Sequence, residues 1–112
     1  MEVILKTSIV ILTYNELPLT KQCLASIKKH TSDEEIEIIV IDNGSSDGTI
    51  EYLKSNPSLK TIFNEENLGF GKGCNQGLDV ATGDSVLFLN NDTIVTENWL
   101  NPCVTCSIVT EK

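Results

Sequence analysis

Apolar positions along this chain fall in short blocks separated by polar, turn-forming stretches, and the period changes from block to block. Residues 7–13 (TSIVILT) form an unbroken β-branched run, as expected of a strand buried on both faces. Pro18 then suits the first turn of a helix. Leu19, Cys23, Leu24 and Ile27 share one helical face, with Lys21, Lys28 and Lys29 outside it. Lys28, Lys29 and His30 suit a helix C-terminus, where the carbonyl ends favour positive charge. Residues 36–41 (IEIIVI) predict a second buried strand. Asn43-Gly44-Ser45-Ser46-Asp47-Gly48 is rich in turn formers and helix caps. A short helix follows over 49–54, stopped by Asn56-Pro57. Residues 59–63 predict a third, weaker strand. Residues 67–73 read as a glycine-rich loop, followed by a helix from about Cys74 to Ala81. Gly83 ends it, and residues 85–89 (SVLFL) predict the fourth strand.

The order is β-α-β-α-β-α-β. Connections of this length make neighbouring strands parallel. The predicted fold class is therefore α/β, a parallel, Rossmann-like sheet of about four strands with helices on both faces. With 112 residues and 40% of them hydrophobic, the chain has core material for one such domain and no more.

Charge narrows the function classes. Sixteen acids face eight basic residues, all of them Lys, for a net charge of −8. No basic stripe exists to neutralise a phosphate backbone, so nucleic acid is excluded as the expected partner. A phosphorylated ligand would need a cation or backbone N–H groups to offset the repulsion. No apolar stretch read from the sequence spans a bilayer, and Met1-Glu2 does not begin a secretory signal. The expected location is the cytoplasm, with the inner membrane face as a second one. The four cysteines are then expected as reduced thiols. Cys103 and Cys106 form a C-x-x-C without the strand-to-helix context of a redox motif, and a structural or incidental role is expected. His30, the single histidine, reads as a surface residue, and Trp99 and Leu100 read as core.

Ligands of parallel α/β sheets bind beyond the carboxyl ends of the strands. Asp and Asn gather at those ends: Thr13-Tyr14-Asn15-Glu16, Asp42-Asn43-Gly44, Asn64-Glu65-Glu66 and Asn90-Asn91-Asp92. Each element keeps two readings. Asn90-Asn91-Asp92 is either a turn or a seat for a hard cation that takes oxygen ligands. Asp42 either holds an Asx turn or accepts a hydrogen bond from a ribose hydroxyl or a base. Tyr14 either stacks on a base or closes the sheet edge. Gly69, Gly71 and Gly73 precede a helix in a G-x-G-x-G pattern, which is neither a Rossmann fingerprint nor a Walker loop. A phospho-receiver fold is excluded, because it needs paired acids after strand one and an acceptor Asp after strand three.

Four stretches in order carry a resemblance: SIVILTYNE, IIVIDNGSSDGT, NENLGFGKGCNQGL and VLFLNNDT. Together, from about Ser8 to Leu100, they resemble the N-terminal half of the family 2 glycosyltransferases, inverting enzymes of the GT-A fold. The rhamnosyltransferase-like branch is most similar. The resemblance implies an enzyme of polysaccharide biosynthesis. It would transfer a sugar from a nucleotide-diphospho-sugar donor to a saccharide or lipid-linked saccharide. Thr13, Tyr14 and Glu16 would line the nucleotide pocket, Asp42 would bind base or ribose, and Gly71, Lys72, Asn75 and Asn91 would border the nucleotide. Asp92 would hold Mg²⁺ or Mn²⁺ where the family has D-x-D, with Asn90 in place of the first acid. The family's general base lies later in its domain, so the chain is expected to be a single donor-binding half, residues 1–112. It would bind nucleotide and metal weakly without transferring sugar. A non-catalytic nucleotide-binding or regulatory module is the alternative. The fourth strand is expected to have an open edge, and with it a homo-oligomer.

Overall fold

The computed structural model describes residues 6–32, 35–97 and 109–111. The readings of Trp99, Leu100, Cys103 and Cys106 lie outside these residues. The elements are β1 (Thr7–Thr13), α1 (Leu17–His30), β2 (Ile36–Asp42), α2 (Thr49–Lys54), β3 (Lys60–Phe63), α3 (Gly69–Val80), β4 (Ser85–Asn90) and β5 (Val109–Glu111). One sheet runs β3-β2-β1-β4-β5. β1 pairs in parallel with β2 and β4, and β2 pairs in parallel with β3. The chain moves outward from β1 to β3, then crosses back to β4 on the other side of β1. The order reverses between β1 and β4, and this is where such sheets open a crevice.

The alternation of side chains along β1 and β2 sorts the core into two layers. Ile9, Ile11, Ile36, Ile38, Val40 and Leu87 pack against Cys23, Leu24 and Ile27 of α1 and Leu53 of α2. Val10, Ile39, Ile41 and Val86 form the other layer with Leu78 and Val80 of α3. The predicted α/β fold with helices on both faces is what the structure has.

Two expectations are corrected. The stretch read as a glycine loop is helical from Gly69 onward. Its glycines serve helix-to-sheet approach: a Cβ on Gly77 would lie 2.4 Å from Val10 Cγ1, and one on Gly73 would lie 2.5 Å from Leu12 Cδ2. Burial of the α3 face against the sheet outweighs the poor helix propensity of glycine. The second correction concerns β4. Its expected open edge is paired in antiparallel fashion with β5, at Ser85↔Glu111, Val86↔Thr110 and Leu87↔Val109. Over those residues the chain satisfies its own edge, and the homo-oligomer inferred from an open edge loses that ground.

A carboxylate ties the amino ends of the strands together. Glu37 accepts hydrogen bonds from Ser8 Oγ (2.5 Å), Lys60 Nζ (2.6 Å), Thr82 N (2.8 Å) and Thr82 Oγ1 (3.0 Å). Burial alone would raise its carboxyl. The bonds from Lys60, Ser8 and Thr82 outweigh that and hold it down at about 2. Among the described residues no helix is long and apolar enough to cross a membrane.

Candidate functional site

The carboxyl lip is built from the loops after β1, β2 and β4 and the start of α3. Register puts Asp42 beside Thr13 and Asn90 beside Leu12, so both acidic corners stand at one lip on either side of β1. β2 and β4 are two strand spacings apart, roughly 10 Å.

The loop after β1 is strained and braced. Asn15 and Glu16 both have left-handed backbone, at φ 58° and 59°, which non-glycine residues rarely adopt. Asn15 N donates to Ser45 Oγ (2.7 Å), and Asn15 Oδ1 accepts from Ser46 N (2.8 Å). Leu17 N donates to Asp47 Oδ2 (3.0 Å), while Thr49 N and Thr49 Oγ1 donate to Asp47 Oδ1 (3.1 and 2.5 Å). The Thr49 hydroxyl and then the Leu17 amide hold the Asp47 carboxyl below its ordinary range. The first turns of α1 and α2 are thus cross-linked through one side chain. This brace holds Tyr14 out into solvent, 51% exposed.

Asp42 is wholly buried. Its Oδ2 accepts from Gly44 N (3.2 Å) and Ser45 N (2.9 Å), and its Oδ1 accepts from Ser45 Oγ (2.5 Å). The carboxylate expected to meet a base or ribose is therefore engaged in holding an Asx turn. Gly44 has φ 88°, and a Cβ there would lie 3.2 Å from the Glu65 carbonyl, so the turn requires glycine. Next to it, Asn64 Nδ2 donates to Asn43 Oδ1 (2.9 Å) and Gln76 Oε1 (2.8 Å), and Gln76 Nε2 returns a bond to Asn64 Oδ1 (2.9 Å). These amides fasten the ends of β2 and β3 to α3.

Thr13 was expected to line a pocket, yet it is 2% exposed. Its hydroxyl bonds the Asn15 carbonyl (3.2 Å) and Thr20 Oγ1 (3.0 Å). It acts on the lip through those neighbours. Gly71, Lys72 and Asn75 are exposed on α3. Nothing lies within 4 Å of the Cβ positions of Gly69 or Gly71, so backbone is open to approach there.

After β4, Asp92 is exposed beside half-buried Asn91. Asn91 Nδ2 donates to Thr20 Oγ1 (3.3 Å), and Thr93 N donates to the Asn90 carbonyl (3.1 Å). Cys23 Sγ lies 3.8 Å from that same carbonyl. Burial, and then the charge of Asp92, push the Cys23 thiol up to about 11, so it stays a protonated donor. Carboxylate and amide oxygens are the ligands that Mg²⁺ and Mn²⁺ take, so the donor set fits such a cation. Among the described residues, no three His, Cys, Asp or Glu side chains gather to hold a metal. The remaining ligands of a cation at Asp92 would come from phosphate oxygens and water.

Sequence reasoning missed Thr20, Ser26 and Gln76; it placed Asn64 on the rim and read Ser45 and Asp47 as turn formers and caps without naming their partners. The signal for Thr20 and Ser26 was their helical spacing with Cys23, which puts all three on one face. The three exposed large apolar side chains among the described residues are Tyr14, Phe70 and Ile94, and each belongs to a different segment of this lip. A cavity of about 300 Å³ lies at the opposite, amino edge, lined by Lys6, Lys28, Ile36, Glu37, Ile38, Ser58 and Lys60. None of the expected donor-binding residues lines it.

The chain is 37% identical over 97 residues to the uncharacterized glycosyltransferase YfnE of Bacillus subtilis (strain 168), covering 84% of this chain and 25% of that protein. It is 32% identical over 94 residues to the poly-beta-1,6-N-acetyl-D-glucosamine synthase of Staphylococcus epidermidis, covering 81% of this chain and 23% of that one. The chain thus spans about a quarter of the length of such relatives. Among solved structures, S. aureus TarS 1-349 superposes with a TM-score of 0.79 at 30% identity, over 89% of this chain and 31% of TarS. TarS is also known in complex with UDP-GlcNAc. The mannosyltransferase PcManGT from Pyrobaculum calidifontis, solved with GDP-Man and Mn²⁺, superposes with a TM-score of 0.78 at 25% identity, over 91% of this chain and 32% of PcManGT. These neighbours are GT-A glycosyltransferases. The family described as Glycosyl transferase family 2 matches residues 8–105, nearly the whole chain, and the chain belongs to that family.

Proposed function

We infer that the chain forms the donor-binding part of a glycosyltransferase that moves a sugar, with inversion, from a nucleotide-diphospho-sugar to an acceptor hydroxyl. The observation that carries this reading is the position of Asp92. It stands exposed at the strand-order reversal, with the Asn91 amide beside it and the braced Tyr14 loop at the end of the neighbouring β1. Two proteins of this fold solved with donors, one with UDP-GlcNAc and one with GDP-Man and Mn²⁺, support it.

The roles divide by chemistry. Tyr14 offers an exposed ring on which a base stacks. Asp42 shapes the Asn43–Ser45 turn against which the nucleoside rests. The open backbone at Gly69 and Gly71, with Lys72, borders the phosphates at the start of α3; the Gly69 N–H donates to Asn67 Oδ1 (2.8 Å), and the helix N-terminus beyond it favours anions. Asp92 and Asn91 would hold Mg²⁺ or Mn²⁺. When bound, that cation supplies charge neutralisation at the leaving diphosphate, which a chain of net charge −8 does not otherwise provide. Inversion further requires a base to take the proton of the acceptor hydroxyl. In the family that base lies beyond the stretch resembled here.

Calorimetric titration tests the reading. In Mn²⁺, UDP or GDP is expected to bind at least about tenfold more tightly than the matching nucleoside, because phosphate and carboxylate share the cation. Asp92→Ala is expected to remove that advantage and leave nucleoside binding unchanged. Equal binding of nucleoside and diphosphate by the unaltered chain would sink the assignment.

A further inference from the structure

The segment that carries Asp92 is held from below by one face of α1. Thr20, Cys23 and Ser26 are spaced by three, so they line one side of the helix. Their exposures are 0%, 0% and 9%. Each grips a different residue at or after the end of β4: Thr20 Oγ1 accepts from Asn91 Nδ2 (3.3 Å), Cys23 Sγ donates to the Asn90 carbonyl (3.8 Å), and Ser26 Oγ accepts from Val95 N (3.0 Å). Asp92 lies between the gripped positions.

We propose that α1 positions the cation-binding segment and that Thr20 is the residue that orients the Asn91 amide. This rests on the reading of Asp92 given above. The proton inventory fixes the direction of the bonds. Thr13 has one hydroxyl proton, which it gives to the Asn15 carbonyl. Thr20 therefore donates to Thr13 across 3.0 Å and uses its lone pairs to accept from Asn91. An amide that commits its nitrogen to this buried hydroxyl keeps its carbonyl oxygen as the atom it can offer to a ligand. A hard cation can use that oxygen and cannot use the nitrogen. Beyond Asn15, its N–H donates to Ser45 Oγ, which donates to Asp42 Oδ1. The Asn15 carbonyl and the Asn15 N–H belong to different peptide groups, so the bonds polarise one another within each run, Asn91 to the Asn15 carbonyl and the Asn15 N–H to Asp42, and not across Asn15. Thr20 is a positioning residue in this scheme.

Thr20→Val keeps the shape and removes the hydroxyl, and Thr20→Ser keeps the hydroxyl. Two measurements on the 112-residue chain decide the matter. The first is the ¹⁵N–¹H signal of the Asn91 side-chain amide without nucleotide or metal. It is expected to be shifted and slow to exchange in the unaltered chain and in Thr20→Ser. In Thr20→Val it is expected to move to the position of a free amide. The second is GDP and UDP binding in Mn²⁺ and in EDTA. Thr20→Val is expected to lower affinity in Mn²⁺ by about tenfold, with affinity in EDTA unchanged and Thr20→Ser restoring the loss. An unmoved amide signal, or an equal loss with and without Mn²⁺, overturns the proposal. If the unaltered chain shows no Mn²⁺-dependent binding, the donor-site reading fails, and the amide signal alone still decides what Thr20 does. Should Thr20→Val not fold, Thr20→Cys, of similar volume and with a weaker acceptor, carries the same comparison.

Discussion

Glu37→Ala is expected to destabilise the fold by about 3 kcal/mol in urea unfolding at pH 7, among the larger effects a single substitution has. The side chain is 10% exposed and joins β2 to β1, to β3 and to the loop before β4. Its loss leaves the wholly buried Ser8 hydroxyl without an acceptor for its proton and the Thr82 amide without its partner. The pH dependence follows from the same bonds. Folding lowers this carboxyl from 4.5 to about 2. Its contribution is therefore complete above pH 4.5 and is lost as pH falls from there through 2. Each pKa unit corresponds to about 1.4 kcal/mol, so the acid loss amounts to about 3 kcal/mol. Glu37→Gln keeps the shape without the charge. Its stability is expected to be flatter between pH 5 and 2 than that of the unaltered chain, apart from the other carboxylates. An equally steep acid limb in Glu37→Gln would show that Glu37 is not the hub.

The second large effect separates three glycines of one helix. Alanine at any interior position of α3 gains about 1 kcal/mol in helix propensity. At Gly77 the new Cβ meets Val10 Cγ1 at 2.4 Å, in the central strand, where a stiff, fully buried side chain has nowhere to go. Overpacking of that kind costs roughly 1–3 kcal/mol and more when the backbone must move, so Gly77→Ala is expected to be clearly destabilising. At Gly73 the clash is with the end of Leu12, a longer side chain that is only half-buried, and the loss should be smaller. At Gly71 nothing lies within 4 Å, so Gly71→Ala should raise the melting temperature. If Gly71 also borders the phosphates, the same variant should weaken nucleotide binding while stabilising the fold. A melting order other than Gly71→Ala above Gly73→Ala above Gly77→Ala would contradict the packing given for α3.

Much of this architecture was legible because burial on both faces leaves a simple trace. The unbroken run at 7–13 and the short helix at 49–54 coincide with β1 and α2 residue for residue. Local chemistry misled where tertiary packing overrode it. Glycines at 69, 71 and 73 read as loop, since nothing local reveals that a helix must press its backbone on Leu12 and Val10. β5 is three residues long, too short for a period to register, so the edge of β4 looked open. Asp42 shows how far composition reaches. The Gly44-Ser45 that follows it already offered the Asx turn the structure contains, and the ligand contact was the competing reading. Thr20 and Ser26 were invisible as contacts. Hydroxyls in a helix look like its wet side until the partners after β4, at Asn91 and Val95, are known.

The direct test of where a donor would sit is paramagnetic broadening by Mn²⁺ in the presence of UDP or GDP, read across the assigned amide spectrum. The account predicts that signals of Asn91, Asp92 and Thr93 vanish first, those of Tyr14 and Gly71 next, and that Lys6, Glu37 and Lys60 at the far edge stay sharp. Broadening centred on that far edge, or sharp signals throughout residues 91–93, would contradict it.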